Sequence, residues 1–138
     1  MKSLSITILA LSLCVTSFSL ADNHTSAKQQ EMLKYIEFSQ IGDPADVLEI
    51  KEERSRPLKS GEVRVGVLAS PINPSDLLQI SGRYGVDPVL PSNPGSEGVG
   101  RVLEVSAEVK HLTVGQLVLL ASGGTWRDEI VAPAAGFL

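Results

Sequence analysis

Tyr84, Asn73 and Trp126 are the side chains best placed by type and spacing to do chemistry. Tyr84 lies in Gly82-Arg83-Tyr84-Gly85, a phenol on a loop with a glycine close on either side. Loops held by a rigid scaffold are where binding and catalytic groups concentrate. Asn73 opens the run Asn73-Pro74-Ser75-Asp76, and Trp126 stands in Gly124-Thr125-Trp126-Arg127. Aromatic residues make up only 4% of the chain, which sets Tyr84 and Trp126 apart. Metal chemistry is constrained: the single cysteine, Cys14, falls in an N-terminal leader, so any metal site must do without thiolates. The formal charge of -4 and the lack of a basic block argue against a nucleic-acid partner.

These residues need elements to hold them. Asn73 can cap a helix, Pro74 suits its first position, and Asp76 complements its electropositive end. Leu77, Leu78 and Ile80 give that helix an apolar side, and Gly82 can end it in the left-handed conformation. Two turns cannot stand alone, so the helix must dock on a larger body. That body reads as strands: Met32 to Phe38 in period two, an extended stretch over Val47 to Glu52, and Glu62 to Ala69 with Val63, Val65 and Val67 on one face. Glu97 to Val105 follows, with Gly98 and Gly100 permitting a bulge or a close backbone approach. Gln116 to Ala121 and Thr125 to Ala132 complete the set. Turns are expected at Gly42-Asp43-Pro44, at His111 to Gly115 and at Ser122-Gly123-Gly124. Short strands spaced by Gly and Pro, with one or two short helices, predict a mainly β, partly open barrel.

The first 21 residues read as a cleaved export signal, with Lys2 as the basic head, an apolar run over Leu4 to Phe18, and small residues at Ser19 and Ala21. The run is short for a membrane span, so no stable span is expected after cleavage. Leu13 before Cys14 argues against a lipoprotein. Residues 22–31 read as a flexible lead-in containing the sequon Asn23-His24-Thr25, and residues 32–138 as the domain. An exported, periplasmic or secreted location follows, or a cytoplasmic one if the true start lies downstream.

The residues from about Leu33 onward resemble the N-terminal, GroES-like catalytic domain of the medium-chain dehydrogenases/reductases. The resemblance is carried by Pro74-Ser75-Asp76, by Pro94-Gly95-Ser96-Glu97-Gly98-Val99-Gly100 and by Val114-Gly115 before an apolar strand. The run from Ile72 to Gly85, with Gly124-Thr125-Trp126-Arg127, is similar to the zinc-free trans-2-enoyl-thioester reductases and, less closely, to quinone oxidoreductases. Zinc-dependent members carry a cysteine and a histidine where this sequence has Asn73 and Ser96, which implies a zinc-free type. Ser106 and Gln116 depart from the family's usual glycine and Gly-Asp.

The resemblance implies NADPH as cofactor and a small hydrophobic enoyl thioester or quinone as substrate. It implies Tyr84 as proton donor, Asn73 as a cofactor-orienting group and Trp126 as a wall of the substrate pocket. A phenol is protonated at neutral pH and can act as an acid without tuning. Plainer roles stand beside these: Asn73 as helix cap, Tyr84 as cover of the barrel end, Trp126 as core, Glu97 as a loop-holding group, Asp76 as a first-turn charge and His111 as solvated. No glycine-rich strand-to-helix fingerprint of a Rossmann domain occurs in the sequence. The expectation is therefore a fragment of a longer reductase, inactive without its cofactor domain. The alternatives are a free-standing exported barrel that binds a small hydrophobic ligand or partner chain, and an inactive remnant.

Overall fold

The computed structural model describes residues 32–138; the leader, the lead-in, Cys14 and the sequon lie outside the described residues. The order is β1 (Met32–Glu37), α1 (Pro44–Val47), β2 (Glu49–Arg54), β3 (Glu62–Ala69), α2 (Pro74–Ile80), β4 (Gly98–Val105), β5 (Leu117–Leu120) and β6 (Glu129–Pro133), then a 3-10 turn over Ala134–Gly136. β1 and β2 form an antiparallel ribbon, and the other strands form a four-stranded sheet in the order β5-β4-β3-β6. The two sheets do not close on each other, so the mainly β, partly open barrel is observed. Among the described residues no helix is long and apolar enough to cross a membrane.

Alternation along β3 sets the core. Val63 and Val65 are fully buried and pack with Val102, Val118, Leu120, Ile130 and Phe137. β3 meets β4 with two register shifts, one between Arg64 and Val65 and one between Val67 and Ala69. The glycines of β4 allow this approach: a Cβ on Gly100 would stand 2.4 Å from the Val65 Cγ1, and one on Gly98 would stand 2.7 Å from the Ala69 carbonyl oxygen. A second, smaller core of Phe38, Val47 and Ile80 sits under α2, with Leu48 and Trp126 packed against it.

Two sequence expectations need correction. The stretch read as a Gly-Asp-Pro turn leading into an extended segment at Val47 contains a turn of helix, α1, because the Asp43 side chain accepts from the Ala45 N–H at 2.9 Å and Pro44 fits its first position. Trp126 does not lie in the last strand, which starts only at Glu129. The segment before it turns sideways to pair with β1: the Ile36 N–H donates to the Trp126 carbonyl at 2.9 Å and the Asp128 N–H to the Lys34 carbonyl at 2.9 Å.

Helix α2 runs between the residues expected. Its C-terminus is closed by two backbone bonds, from the Gly82 N–H to the Gln79 carbonyl and from the Arg83 N–H to the Leu78 carbonyl, with Gly82 at φ +69°. A Cβ there would also stand 2.6 Å from the Ile41 Cγ2. Gly82→Ala is therefore expected to lower unfolding free energy by about 1–2 kcal/mol, read by urea denaturation.

Before β3, the Arg56 guanidinium grips both Glu62 carboxylate oxygens at 2.7 and 2.8 Å, and the Lys59 N–H adds a third bond at 2.8 Å. The Arg56 bonds, then the Lys59 N–H, push the Glu62 carboxyl down from 4.5 to about 2. A depressed carboxylate stabilises the fold above its unfolded pKa and loses that contribution as pH falls through the folded one. Glu62→Gln is expected to flatten the stability profile between about pH 4.5 and pH 2 relative to the parent, measured by denaturation at stepped pH.

Candidate functional site

The loop from β3 into α2 meets the Pro94–Glu97 turn through a buried carboxylate. Asp76, only 3% exposed, accepts from the Asn73 N–H at 2.8 Å and from the Ser96 hydroxyl at 2.7 Å. Asn73 occupies the cap position, and its side-chain amide reaches across to Glu97 Oε1 at 3.1 Å and Ser96 Oγ at 3.4 Å. Asp76 thus does more than complement a helix end: it binds the helix start to the turn. The Glu97 carbonyl accepts from the hydroxyls of Ser70 and Thr125, each at 2.9 Å, and those hydroxyls lie 2.7 Å apart. Glu97 therefore holds the loops together, as its plainer reading had it.

Beside this network lies an open cleft of about 480 Å³, lined by Ile36, Leu48, Val67, Ile72, Trp126 and Arg127 among others. Trp126 forms part of its wall. The indole N–H donates to the Pro71 carbonyl at 3.0 Å, and the Trp126 N–H to the Pro94 carbonyl at 3.2 Å, so the ring is fixed from both ends. Gly95 makes room for it: a Cβ there would stand 2.4 Å from the Trp126 Cδ1 and 2.5 Å from the Thr125 hydroxyl. Trp126 is at once satellite core and cleft wall.

Asn73 and Trp126 are brought into one neighbourhood through Ser96, Glu97 and Thr125, whereas Tyr84 stands apart. Tyr84 is 55% exposed on the loop after α2, does not line the cleft, and its hydroxyl makes no hydrogen bond among the described residues. Val86 and Val89 on the same loop are exposed too. The positions Asn73 and Ser96 are hydrogen-bonded to each other, and among the described residues no group of three His, Cys, Asp or Glu side chains could hold a metal.

The sequence reading missed two arginines. Arg64, 8% exposed in mid-β3, donates to Glu104 on β4 and Glu129 on β6, each at 3.0 Å, and also bonds Ser55 and the Arg56 carbonyl. Burial opposes its charge, but the bonds to Glu104 and Glu129 outweigh it and hold its pKa above the ordinary value. Arg127 lies with its guanidinium carbon 5.2 Å from the centroid of the Tyr35 ring and reaches Asn93 Oδ1 at 3.4 Å. A charge in a strand pattern gave no signal of the burial of Arg64 or of the ring contact of Arg127.

A partly open barrel with a short helix entering between β3 and β4, and a polar turn locked onto that helix, defines a GroES-like domain. The chain belongs to the alcohol dehydrogenase GroES-like domain family, whose model matches residues 59–136. It is 38% identical over 113 residues to the mitochondrial enoyl-[acyl-carrier-protein] reductase of Homo sapiens, covering 80% of this chain and 30% of that protein. The mitochondrial 2-enoyl thioester reductase heterodimer Etr1p/Etr2p of Candida tropicalis is similar at 30% identity and a TM-score of 0.72, covering 78% of this chain and 33% of that one. A Bacillus thuringiensis protein named for NADPH:quinone reductase activity is similar at 40% identity and a TM-score of 0.70, with the same coverage. The chain thus spans about a third of the length of these relatives.

The Asp76 knot is testable. Asp76→Ala removes the acceptor for the Asn73 N–H and the Ser96 hydroxyl and is expected to cost about 1–3 kcal/mol in chemical denaturation. Ser96→Ala, which leaves Asp76 its backbone partner, is expected to cost less.

Proposed function

We propose that this chain is the catalytic-domain portion of a zinc-independent, NADPH-dependent reductase of 2-enoyl thioesters. The observation that carries the reading is the pairing of an apolar cleft, walled by Trp126, with a polar rim where Asn73 and Ser96 are held by hydrogen bonds to Asp76. That rim also supports zinc independence. An amide, a hydroxyl and a buried carboxylate saturate one another where zinc-dependent members place a thiolate and an imidazole.

The residues suit one end of the cofactor. The Asn73 amide nitrogen donates to Glu97 and Ser96 at 3.1 and 3.4 Å, which leaves its Oδ1 as the acceptor for a nicotinamide carboxamide N–H. When bound, NADPH supplies a hydride to the β-carbon of the enoyl thioester. Tyr84 supplies the proton to the α-carbon, so the carbon–carbon double bond is reduced, and the exposed phenolate regains its proton from water. Trp126 and the apolar cleft hold the acyl chain and keep water from it.

The 40% identity to the quinone reductase-named protein favours quinones as the second reading. The test joins this chain to the remaining two thirds of that relative and follows NADPH oxidation with crotonyl-CoA and with a benzoquinone. Turnover of crotonyl-CoA, falling about 100-fold or more in Tyr84→Phe with NADPH affinity retained, is the expected outcome. Turnover of the quinone alone, or an unaffected Tyr84→Phe, would overturn it.

A further inference from the structure

Arg127, Glu129 and Val131 stand two residues apart, so an extended backbone turns them to one side, and all three border a polar cavity of about 170 Å³. Arg64, opposite Val131 on β3, lines it as well. The β1-β2 ribbon contributes Leu33 and its cross-strand partner Glu53. β1 thus presents Leu33 to this cavity and Ile36, on its opposite face, to the apolar cleft. The two spaces are separate.

Four arginines border the polar cavity, Arg54, Arg56, Arg64 and Arg127, against two carboxylates, Glu53 and Glu129. Two of the four are already paired. Arg56 is held by Glu62, and Arg64 by Glu129 and Glu104. Arg54 and Arg127 make no ion pair among the described residues, and neither does Glu53. Asp128, the chain neighbour of Arg127, turns its carboxylate to the Lys34 N–H at 2.7 Å. The Arg127 guanidinium lies against the Tyr35 ring, its one hydrogen bond is the 3.4 Å contact from Nη2 to Asn93, and its Nε is buried without a partner. A guanidinium carries five N–H donors, and one left so short of acceptors while partly out of water is costly unless an anion completes it. We infer that this cavity is a binding site for a small inorganic oxyanion of phosphate type, held by Arg127 and Arg54 and opposed by Glu53. A planar guanidinium meets two oxygens at once, which a tetrahedral oxyanion offers from any side. At roughly 30 Å³ per water, the space suits such an ion with a few waters and no long tail. The site is distinct from the apolar cleft and does not rest on the reductase reading.

Isothermal titration calorimetry of the full 138-residue protein with sodium phosphate, at an ionic strength held constant with sodium chloride, tests this. One saturable site is expected. Arg127→Gln is expected to lower its affinity about ten-fold or more, because it removes charge-assisted bonds to the anion. Glu53→Gln is expected to raise the affinity about three-fold, because it removes a like charge beside the anion. Lys110, whose ammonium bonds the Ala107 carbonyl and does not line the cavity, serves as control, and Lys110→Gln should leave the affinity unchanged. No saturable heat in the parent protein would overturn the inference without any appeal to a variant. So would a folded Arg127→Gln that binds phosphate undiminished, or a loss in Lys110→Gln equal to that in Arg127→Gln, which would mark general attraction to surface charge. Should Arg127→Gln not fold, Glu53→Gln decides, since it alters an exposed side chain, and an affinity unchanged or weakened there would also overturn the site.

Discussion

The fold depends on one seam, the segment Thr125–Asp128. It has no strand of its own, yet it is hydrogen-bonded on both sides. Thr125 and Trp126 donate to the carbonyls of Gly95 and Pro94, while Trp126 and Asp128 join β1 through Ile36 and Lys34. Val67 then donates to the Asp128 carbonyl at 2.8 Å, which carries the pairing on into β3. Without this seam the β1-β2 ribbon would have little to fasten it to the four-stranded sheet. The cleft is the space left where the two sheets meet at this seam. Backbone groups at such a junction cannot be left unpaired when partly buried, and that requirement fixes the segment's path more tightly than side-chain packing does.

Charge inside the sheet follows a similar logic. Arg64 sits between two carboxylates on its neighbouring strands, so β3 is tied to both β4 and β6 through its side chain as well as its backbone. An arginine there is tolerated because its planar guanidinium divides its donors among Glu104, Glu129, Ser55 and a backbone carbonyl. Arg127, by contrast, makes no ion pair among the described residues and is held by the Tyr35 ring and by Asn93.

Much of this was legible in the residues. The capped, proline-led, glycine-ended helix α2 could be read almost to its boundaries because each end carries its own local signal, as did Val63, Val65 and Val67 for β3. The glycines of β4 announced close approach for the same reason: a missing Cβ has consequences that do not depend on distant residues. What could not be read were features decided by long-range pairing. Thr125 to Asp128 alternate like a strand, but their partners are 30 to 94 residues away and take them out of line with β6. Asp43 could cap α1, but a turn reading satisfies the same residues. The burial of Arg64 is set by glutamates on two other strands, and no local pattern carries that information. For the candidate site, Trp126 came out lining the cleft and Asn73 in the hydrogen-bonded network beside it, whereas Tyr84 stayed outside both.

The position of Tyr84 has a physical reading that bears on how such a domain works. A phenol needed as an acid is best kept unspent, since a hydrogen bond to a local acceptor would hold its proton in place. The loop that carries it begins at the positive-φ Gly82, passes the positive-φ Gly85 with no atom within 4 Å of where a Cβ would be, and is lined by exposed valines. Nothing in the described residues fixes the hydroxyl. By contrast Asn73, Ser96 and Asp76 are pinned to within hydrogen-bonding distance of one another. Groups that orient a reactant gain from being rigid before it arrives, because their ordering then costs nothing at binding. On the proposed reading, a group that must reach the reactant gains from a loop with few contacts to break, and the contrast between the knotted rim and the free phenol accords with that rule.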